Sequence, residues 1–122
     1  MIVDDSKVNR DYLKAIFEAN EFEVFLSGRG GEALEMIETV PPDLMILDLN
    51  MPGIGGLETL KSIRAKGFNF PVVIFTSDNR EDMKNKCLAA GANEMLFKPS
   101  KPNYILSVVN KCIVAYGASE KN

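Results

Sequence analysis

Three aspartates, two hydroxyl residues and one lysine each follow a short apolar run in this chain. Asp4 and Asp5 come directly after Met1-Ile2-Val3, and Asp48 after Leu44-Met45-Ile46-Leu47. Thr76 and Ser77 follow Val72-Val73-Ile74-Phe75, and Lys98 follows Met95-Leu96-Phe97, with Pro99 behind it. If these runs are parallel strands of one sheet, the polar residues gather at its carboxyl end, where open α/β sheets bind their ligands. Carboxylates brought so close repel one another and titrate as a coupled set. A divalent cation relieves that repulsion. Oxygen ligands favour a hard ion, and magnesium is the usual one where phosphate takes part. A lysine ammonium can share a phosphoryl oxygen, a threonine hydroxyl can donate to another, and a carboxylate can attack phosphorus. The set suits phosphoryl transfer.

Taken singly, each residue has a plainer explanation. An acidic pair such as Asp4-Asp5 is commonly a helix cap or solvated charge. Asp48, with Asn50 and Pro52-Gly53 behind it, can be a turn residue. Thr76 can end a strand or cap the next helix, and Lys98 can simply be solvated. What outweighs these explanations is that all of them fall at the same end of the same sheet.

The elements that must position them are legible from hydrophobic spacing. A helix is predicted over about Ser6 to Asn20, with Leu13, Ile16 and Phe17 on one face. Glu23 to Ser27 reads as a strand. Gly31 to Thr39 reads as a helix with Leu34 and Ile37 inward, stopped by Pro41-Pro42. Leu44 to Leu47 is too short for a helix and reads as a buried strand. After the turn region Pro52–Gly56 comes a helix carrying Leu57, Leu60 and Ile63, ending near Gly67. Val72 to Phe75 is a β-branched, fully apolar strand. A weaker helix runs from about Arg80 to Ala90, up to Gly91, and Met95 to Phe97 is a fifth strand. A last helix spans about Lys101 to Tyr116, with Ile105, Val108, Val109, Cys112 and Ile113 inward. Met95 and the aliphatic stripes are read as core. Apolar strands separated by helices argue for a parallel sheet covered on both faces, joined by right-handed crossovers. No internal repeat, linker or low-complexity segment interrupts the pattern, and a frayed tail is expected from Gly117 onward.

Composition narrows the function further. The chain has 122 residues, enough for one domain with its own core. At 46% hydrophobic and 25% charged it is an ordinary globular sequence. Cys87 and Cys112 both fall on the apolar side of predicted helices, so buried free thiols are expected, in keeping with a reducing cytosol. No apolar run approaches the roughly 20 residues of a membrane span, and no signal-peptide pattern opens the chain. A net charge of −3 is unlike the basic footprint of a nucleic-acid binder. The absence of histidine rules out a His-based triad, a His-ligated metal and a phosphohistidine on this chain.

Along essentially its whole length the sequence resembles the receiver domain of two-component response regulators. The resemblance is carried by Val3-Asp4-Asp5-Ser6, Ile46-Leu47-Asp48-Leu49-Asn50-Met51-Pro52-Gly53, Phe75-Thr76-Ser77, Ala90-Gly91-Ala92 and Phe97-Lys98-Pro99. It implies an α/β, flavodoxin-like, doubly wound (βα)5 fold with a five-stranded parallel sheet in the order 2-1-3-4-5. The receiver domain would cover 1–117 and a C-terminal tail 118–122. Asp48 would be the phosphoacceptor, taking a phosphoryl group from the phosphohistidine of a sensor histidine kinase or phosphotransfer protein. Asp5, Asp48 and the backbone carbonyl of Asn50 would ligate Mg2+, with Asp4 holding metal-bound water or ligating directly. Lys98 would pair with the phosphoryl group, Thr76 would move to hydrogen-bond it, and the Lys98–Pro99 bond would be cis. Self-catalysed phosphorylation by small phosphodonors and autodephosphorylation are implied, but not a turnover enzyme. Also implied are a cytoplasmic location, an output protein or domain of unknown identity, and a monomer or phosphorylation-dependent dimer. No direct contact with nucleic acid or membrane is expected. Partner docking is expected on the face of the fourth helix, fifth strand and fifth helix, around Lys84, Lys86, Met95, Lys101 and Tyr104. Both a stand-alone regulator and a receiver belonging to a longer chain are compatible with this pattern.

Three features depart from the family pattern. Met95 stands where an aromatic residue usually couples the threonine to the output face, so that coupling is expected to be weaker or to take another route. The first strand is short, and Gly55 replaces an aspartate common in relatives. Three alternatives compete with the main reading. A pseudo-receiver that binds partners without phosphorylation is opposed by the intact Asp4, Asp5, Asp48, Thr76 and Lys98 set. A flavodoxin-like cofactor binder would want a Gly/Ser/Thr-rich phosphate loop after the first strand, where this chain has two aspartates. An aspartate-nucleophile phosphatase would carry its nucleophile after the first strand, not the third.

Overall fold

A computed structural model describes residues 1–117. The tail expected over 118–122 lies outside the described residues. In chain order the elements are β1 (Ile2–Val3), α1 (Lys7–Glu18), β2 (Leu26–Ser27), α2 (Gly30–Thr39), β3 (Met45–Leu47), α3 (Gly56–Ala65), β4 (Val72–Thr76), α4 (Glu81–Ala89), β5 (Glu94–Phe97) and α5 (Pro102–Cys112). A π-helical turn, Ile113–Gly117, comes directly after α5. The strands form one five-stranded sheet in the order β2-β1-β3-β4-β5, with every pairing parallel. This is the flavodoxin-like doubly wound architecture that the resemblance implied.

Alternation along the strands builds two cores, one on each side of the sheet. Ile2, Ile46, Val73, Phe75 and Leu96 face α1 and α5, meeting Leu13, Phe17, Ile105 and Val109. Val3, Met45, Leu47, Val72 and Ile74 face the other way, onto Ala33, Ile37, Leu60, Ile63 and Cys87 from α2, α3 and α4. Each leucine or isoleucine fully withdrawn from water contributes about 1.5–3 kcal/mol relative to exposure. Both cysteines are buried free thiols, as expected. Gly67 and Gly91 come after α3 and α4 with φ of +89° and +110°, the left-handed geometry that ends a helix. No helix among the described residues is long and apolar enough to cross a membrane.

The elements differ from the sequence reading mainly at their ends. The second strand, predicted over Glu23–Ser27, pairs only at Leu26–Ser27. Among the described residues it is an edge strand with β1 as its one neighbour, and β1 is itself only two residues long. Phe22, Val24 and Leu26 still pack against the α1/α5 core, so the apolar alternation marks packing that extends beyond the ladder. β4 runs one residue further than predicted and takes in Thr76. α1 starts at Lys7 because Ser6 is its cap: the Ser6 hydroxyl accepts from the Asn9 N–H at 3.3 Å.

Candidate functional site

The carboxyl ends of β1 and β3 lie side by side, because Ile2 pairs with Ile46 and Val3 with Leu47. The residues immediately beyond are Asp4, Asp5 and Asp48. Each offers a carboxylate oxygen, and these oxygens lie within 4.8 Å of one another. Asp4 and Asp48 are buried, while Asp5 is exposed. Lys98, just beyond β5, reaches across β4 to both buried carboxylates. Its Nζ is 2.9 Å from Asp4 Oδ2 and 3.5 Å from Asp48 Oδ1. The ammonium also stands 5.5 Å from the centre of the Phe75 ring. Its peptide bond to Pro99 is cis, as expected.

Asp4 is held from several sides. Its Oδ1 accepts the Ser6 N–H at 2.9 Å, and its own N–H donates to the Ser27 carbonyl at 3.0 Å. It is neither the cap of α1, which is Ser6, nor a solvated charge: it is buried, makes a local contact with the Ser6 N–H and pairs with Lys98. Asp48 is anchored through its N–H to the Val3 carbonyl at 2.9 Å. Its carboxyl is raised above the usual aspartate range, first by burial and then by the Asp4 and Asp5 charges. Lys98 and the Asn50 N–H pull in the opposite direction without cancelling the rise. A further positive charge here would favour the ionised form, and an all-oxygen donor set fits a hard divalent cation such as Mg2+. Asn50 is exposed on the connection after β3.

Thr76 is fully buried at the end of β4, and its hydroxyl accepts the Asp78 N–H at 3.1 Å. Its carbonyl accepts the Lys98 N–H at 2.8 Å, so the threonine and lysine backbones are directly tied. Thr76 and Phe97 are register partners across β4 and β5. Asp4, Asp5, Asp48, Thr76 and Lys98 thus sit at the carboxyl end of one sheet.

Two residues that support the site went unnoticed in the sequence. Gly56 opens α3 and donates its N–H to the Leu49 carbonyl at 2.9 Å. A Cβ there would land on the Asp48 carbonyl oxygen, so only glycine lets α3 start this close to the acceptor residue. The Gly55-Gly56 doublet was the available signal. Arg10 reaches from α1 to the Asp4 carbonyl at 2.7 Å, and an arginine on an amphipathic helix gives no such indication.

Lys84, Met95, Lys101 and Tyr104, expected at a docking face, line a groove of about 780 Å3 together with Leu88 and Phe97. Lys86 is not among its lining residues. Met95 is half-buried and packs against the α2/α3/α4 core.

Residues 1–110 match the family model described as "Response regulator receiver domain", and the chain belongs to that family. It is 34% identical over 113 residues to the nitrate/nitrite response regulator protein NarL of Escherichia coli (strain K12), covering 91% of this chain and 52% of NarL. The chain thus spans about half the length of that relative. Among solved structures it is similar to the receiver domain of the Francisella response regulator 1452, at 30% identity and a TM-score of 0.86, covering 91% of this chain and 92% of that one. A CheY-like receiver domain protein from Methanospirillum hungatei JF-1 gives a TM-score of 0.91 at 25% identity, covering 97% of this chain and 94% of that one. Receiver domains of two-component systems are phosphoacceptor switches and not turnover enzymes; they pair with histidine kinases and output domains.

Proposed function

We propose that residues 1–117 act as one receiver unit, accepting a phosphoryl group on Asp48 from the phosphohistidine of a sensor histidine kinase or phosphotransfer protein. The observation that carries this reading is the meeting of three carboxylates, from two strands, with a single lysine ammonium. Asp5, Asp48 and the Asn50 carbonyl would hold Mg2+, with Asp4 contributing directly or through bound water. When bound, the ion neutralises carboxylate charge and draws electron density from the phosphoryl oxygens. An Asp48 carboxylate oxygen forms the new P–O bond as the P–N bond to the donor imidazole breaks, and the donor nitrogen keeps the electron pair. Lys98, already between Asp4 and Asp48, turns its ammonium to a phosphoryl oxygen. Thr76 exchanges its contact with the Asp78 N–H for a hydrogen bond donated to another. Attack of water on phosphorus later breaks the Asp48 O–P bond, releases inorganic phosphate and a proton, and restores the Asp48 carboxylate, which gives autodephosphorylation.

The energetics suit a switch. Phosphorylation replaces the single charge of the Asp48 carboxylate with a phosphoryl group that carries roughly two negative charges and three strong acceptor oxygens. Moving a two-state equilibrium from 1:99 to 99:1 takes about 5.5 kcal/mol. A few charge-assisted hydrogen bonds of roughly 1.5–3 kcal/mol each are the right size. The signal then passes to an output protein or domain, with the groove beside β5 as its docking face and no direct contact of this domain with nucleic acid or membrane. The domain works in the cytoplasm, as a monomer or a phosphorylation-dependent dimer.

The test is phosphotransfer from a radiolabelled histidine-kinase donor. Label should leave the donor and appear on the wild-type chain in the presence of Mg2+, and not on Asp48→Asn. Partner binding that is identical with and without phosphorylation would instead mark a pseudo-receiver.

A further inference from the structure

Arg10 lies in the first turns of α1 and turns back toward the acidic loop after β1. Its Nη1 donates to the backbone carbonyl of Asp4 at 2.7 Å. The guanidinium reaches that carbonyl through a space kept open by Gly28, on the connection between β2 and α2. A Cβ at position 28 would stand 3.1 Å from Nη1 and 3.9 Å from the Asp4 carbonyl oxygen. Three parts of the chain therefore converge on one peptide unit: the start of α1, the end of β1 and the β2–α2 connection.

That peptide unit matters because it joins Asp4 to Asp5. The Asp4 carbonyl and the Asp5 N–H lie in one rigid plane, so fixing the carbonyl fixes the direction in which the Asp5 main chain sets out. Asp4 has other anchors, in the Ser6 N–H, Lys98 and the Ser27 carbonyl. Asp5 is exposed, and its carboxylate must still meet those of Asp4 and Asp48. A charge-assisted hydrogen bond to the intervening carbonyl is a strong way to hold it there.

We infer that Arg10, seated against Gly28, is a positioning residue for the cation site: it clamps the Asp4 carbonyl and so aims the Asp5 carboxylate at the bound Mg2+. The inference rests on the proposed function, since it takes Asp5 as a ligand. Groups that orient metal ligands in this way typically change affinity by about 10–100-fold when removed.

The experiment is calorimetric titration of the full chain with Mg2+ for wild type, Arg10→Met, Arg10→Lys, Gly28→Ala and Lys14→Met, with a metal-free melting curve for each. Arg10→Met should bind Mg2+ about tenfold more weakly. Arg10→Lys should recover part of the loss, because an ammonium can still donate to a carbonyl. Gly28→Ala, which crowds the guanidinium, should weaken binding in the same direction and keeps the test open if Arg10→Met does not fold. Lys14→Met removes the same charge from the same helix about one turn on and should bind like wild type. The inference is overturned if Arg10→Met or Gly28→Ala binds Mg2+ as wild type does. It is also overturned if Lys14→Met loses as much, or if the loss only tracks a fall in metal-free melting temperature that Lys does not rescue. Failure of the wild-type chain itself to bind Mg2+ would overturn the proposed cation site and this inference together, an outcome distinguishable from the loss of Arg10's role alone.

Discussion

At Asp48, burial and the neighbouring Asp4 and Asp5 charges outweigh Lys98, and the carboxyl is raised above its ordinary value of 3.8. A folded value above the unfolded one has a definite sign in stability. The contribution is fully present below 3.8 and is lost as pH rises through the raised value, because the ionised form is the disfavoured one. At neutral pH, well above 3.8, ionising this carboxyl costs the metal-free fold more than it costs the unfolded chain. Asp48→Asn, which keeps the shape and removes the charge, should raise the metal-free melting temperature at pH 7. With saturating Mg2+ the order should narrow or reverse, since the ion stabilises the ionised wild type by mass action. Melting curves in chelator and in Mg2+, for both proteins, check this. The same residue shows what sequence can reveal. Asp4, Asp5, Asp48, Thr76 and Lys98 were legible because each lies at or just past the end of an apolar strand, and parallel strands of one sheet bring their carboxyl-end residues together. Arg10 and Gly56 were not, because they act on other residues' backbone carbonyls: the Gly55-Gly56 doublet hints at a close approach without naming its partner, and nothing around Arg10 in sequence points to the Asp4 carbonyl.

The element most exacting about the acceptor is the start of α3. Gly56 brings that helix against the backbone of Asp48 and Leu49, where a Cβ would collide with the Asp48 carbonyl oxygen. Gly56→Ala has to move either the helix or the acceptor strand, and overpacking of this kind costs about 1–3 kcal/mol. The variant should show a lower urea midpoint and slower phosphorylation, while its Asp48 side chain stays chemically intact. An unchanged rate would mean that the helix start does not set the acceptor's geometry. Element ends were the least legible part of the sequence. β2 is predicted over five residues and pairs over two, since a run of apolar residues reports which side chains pack and not how far the ladder extends on a sheet edge. The centre of the sheet was plain, because β4 is buried at every position and its composition admits no other role.

For the whole molecule, the two cores on opposite faces of the sheet keep five strand ends in register. Ile74 sits in the middle of this arrangement, fully buried on β4 against the α2/α3/α4 side. Ile74→Ala should cost about 2–5 kcal/mol of unfolding free energy by chemical denaturation. Val114→Ala, at a residue 75% exposed beyond α5, should stay within about 0.5 kcal/mol. Fold class and strand order were accessible from sequence through periodicity joined to the family motifs. The groove beside β5 was only partly accessible: Lys84, Met95, Lys101 and Tyr104 were anticipated, whereas Leu88 and Phe97 enter it through three-dimensional packing.

The central claim is that this sheet end makes Asp48 a phosphoacceptor. Its most direct test is intact-protein mass spectrometry after incubation with acetyl phosphate, with and without Mg2+, on wild type and Asp48→Asn. The account predicts one added phosphoryl group on the wild type, dependent on Mg2+ and absent from Asp48→Asn. An equal adduct on Asp48→Asn, or an adduct indifferent to Mg2+, would contradict it.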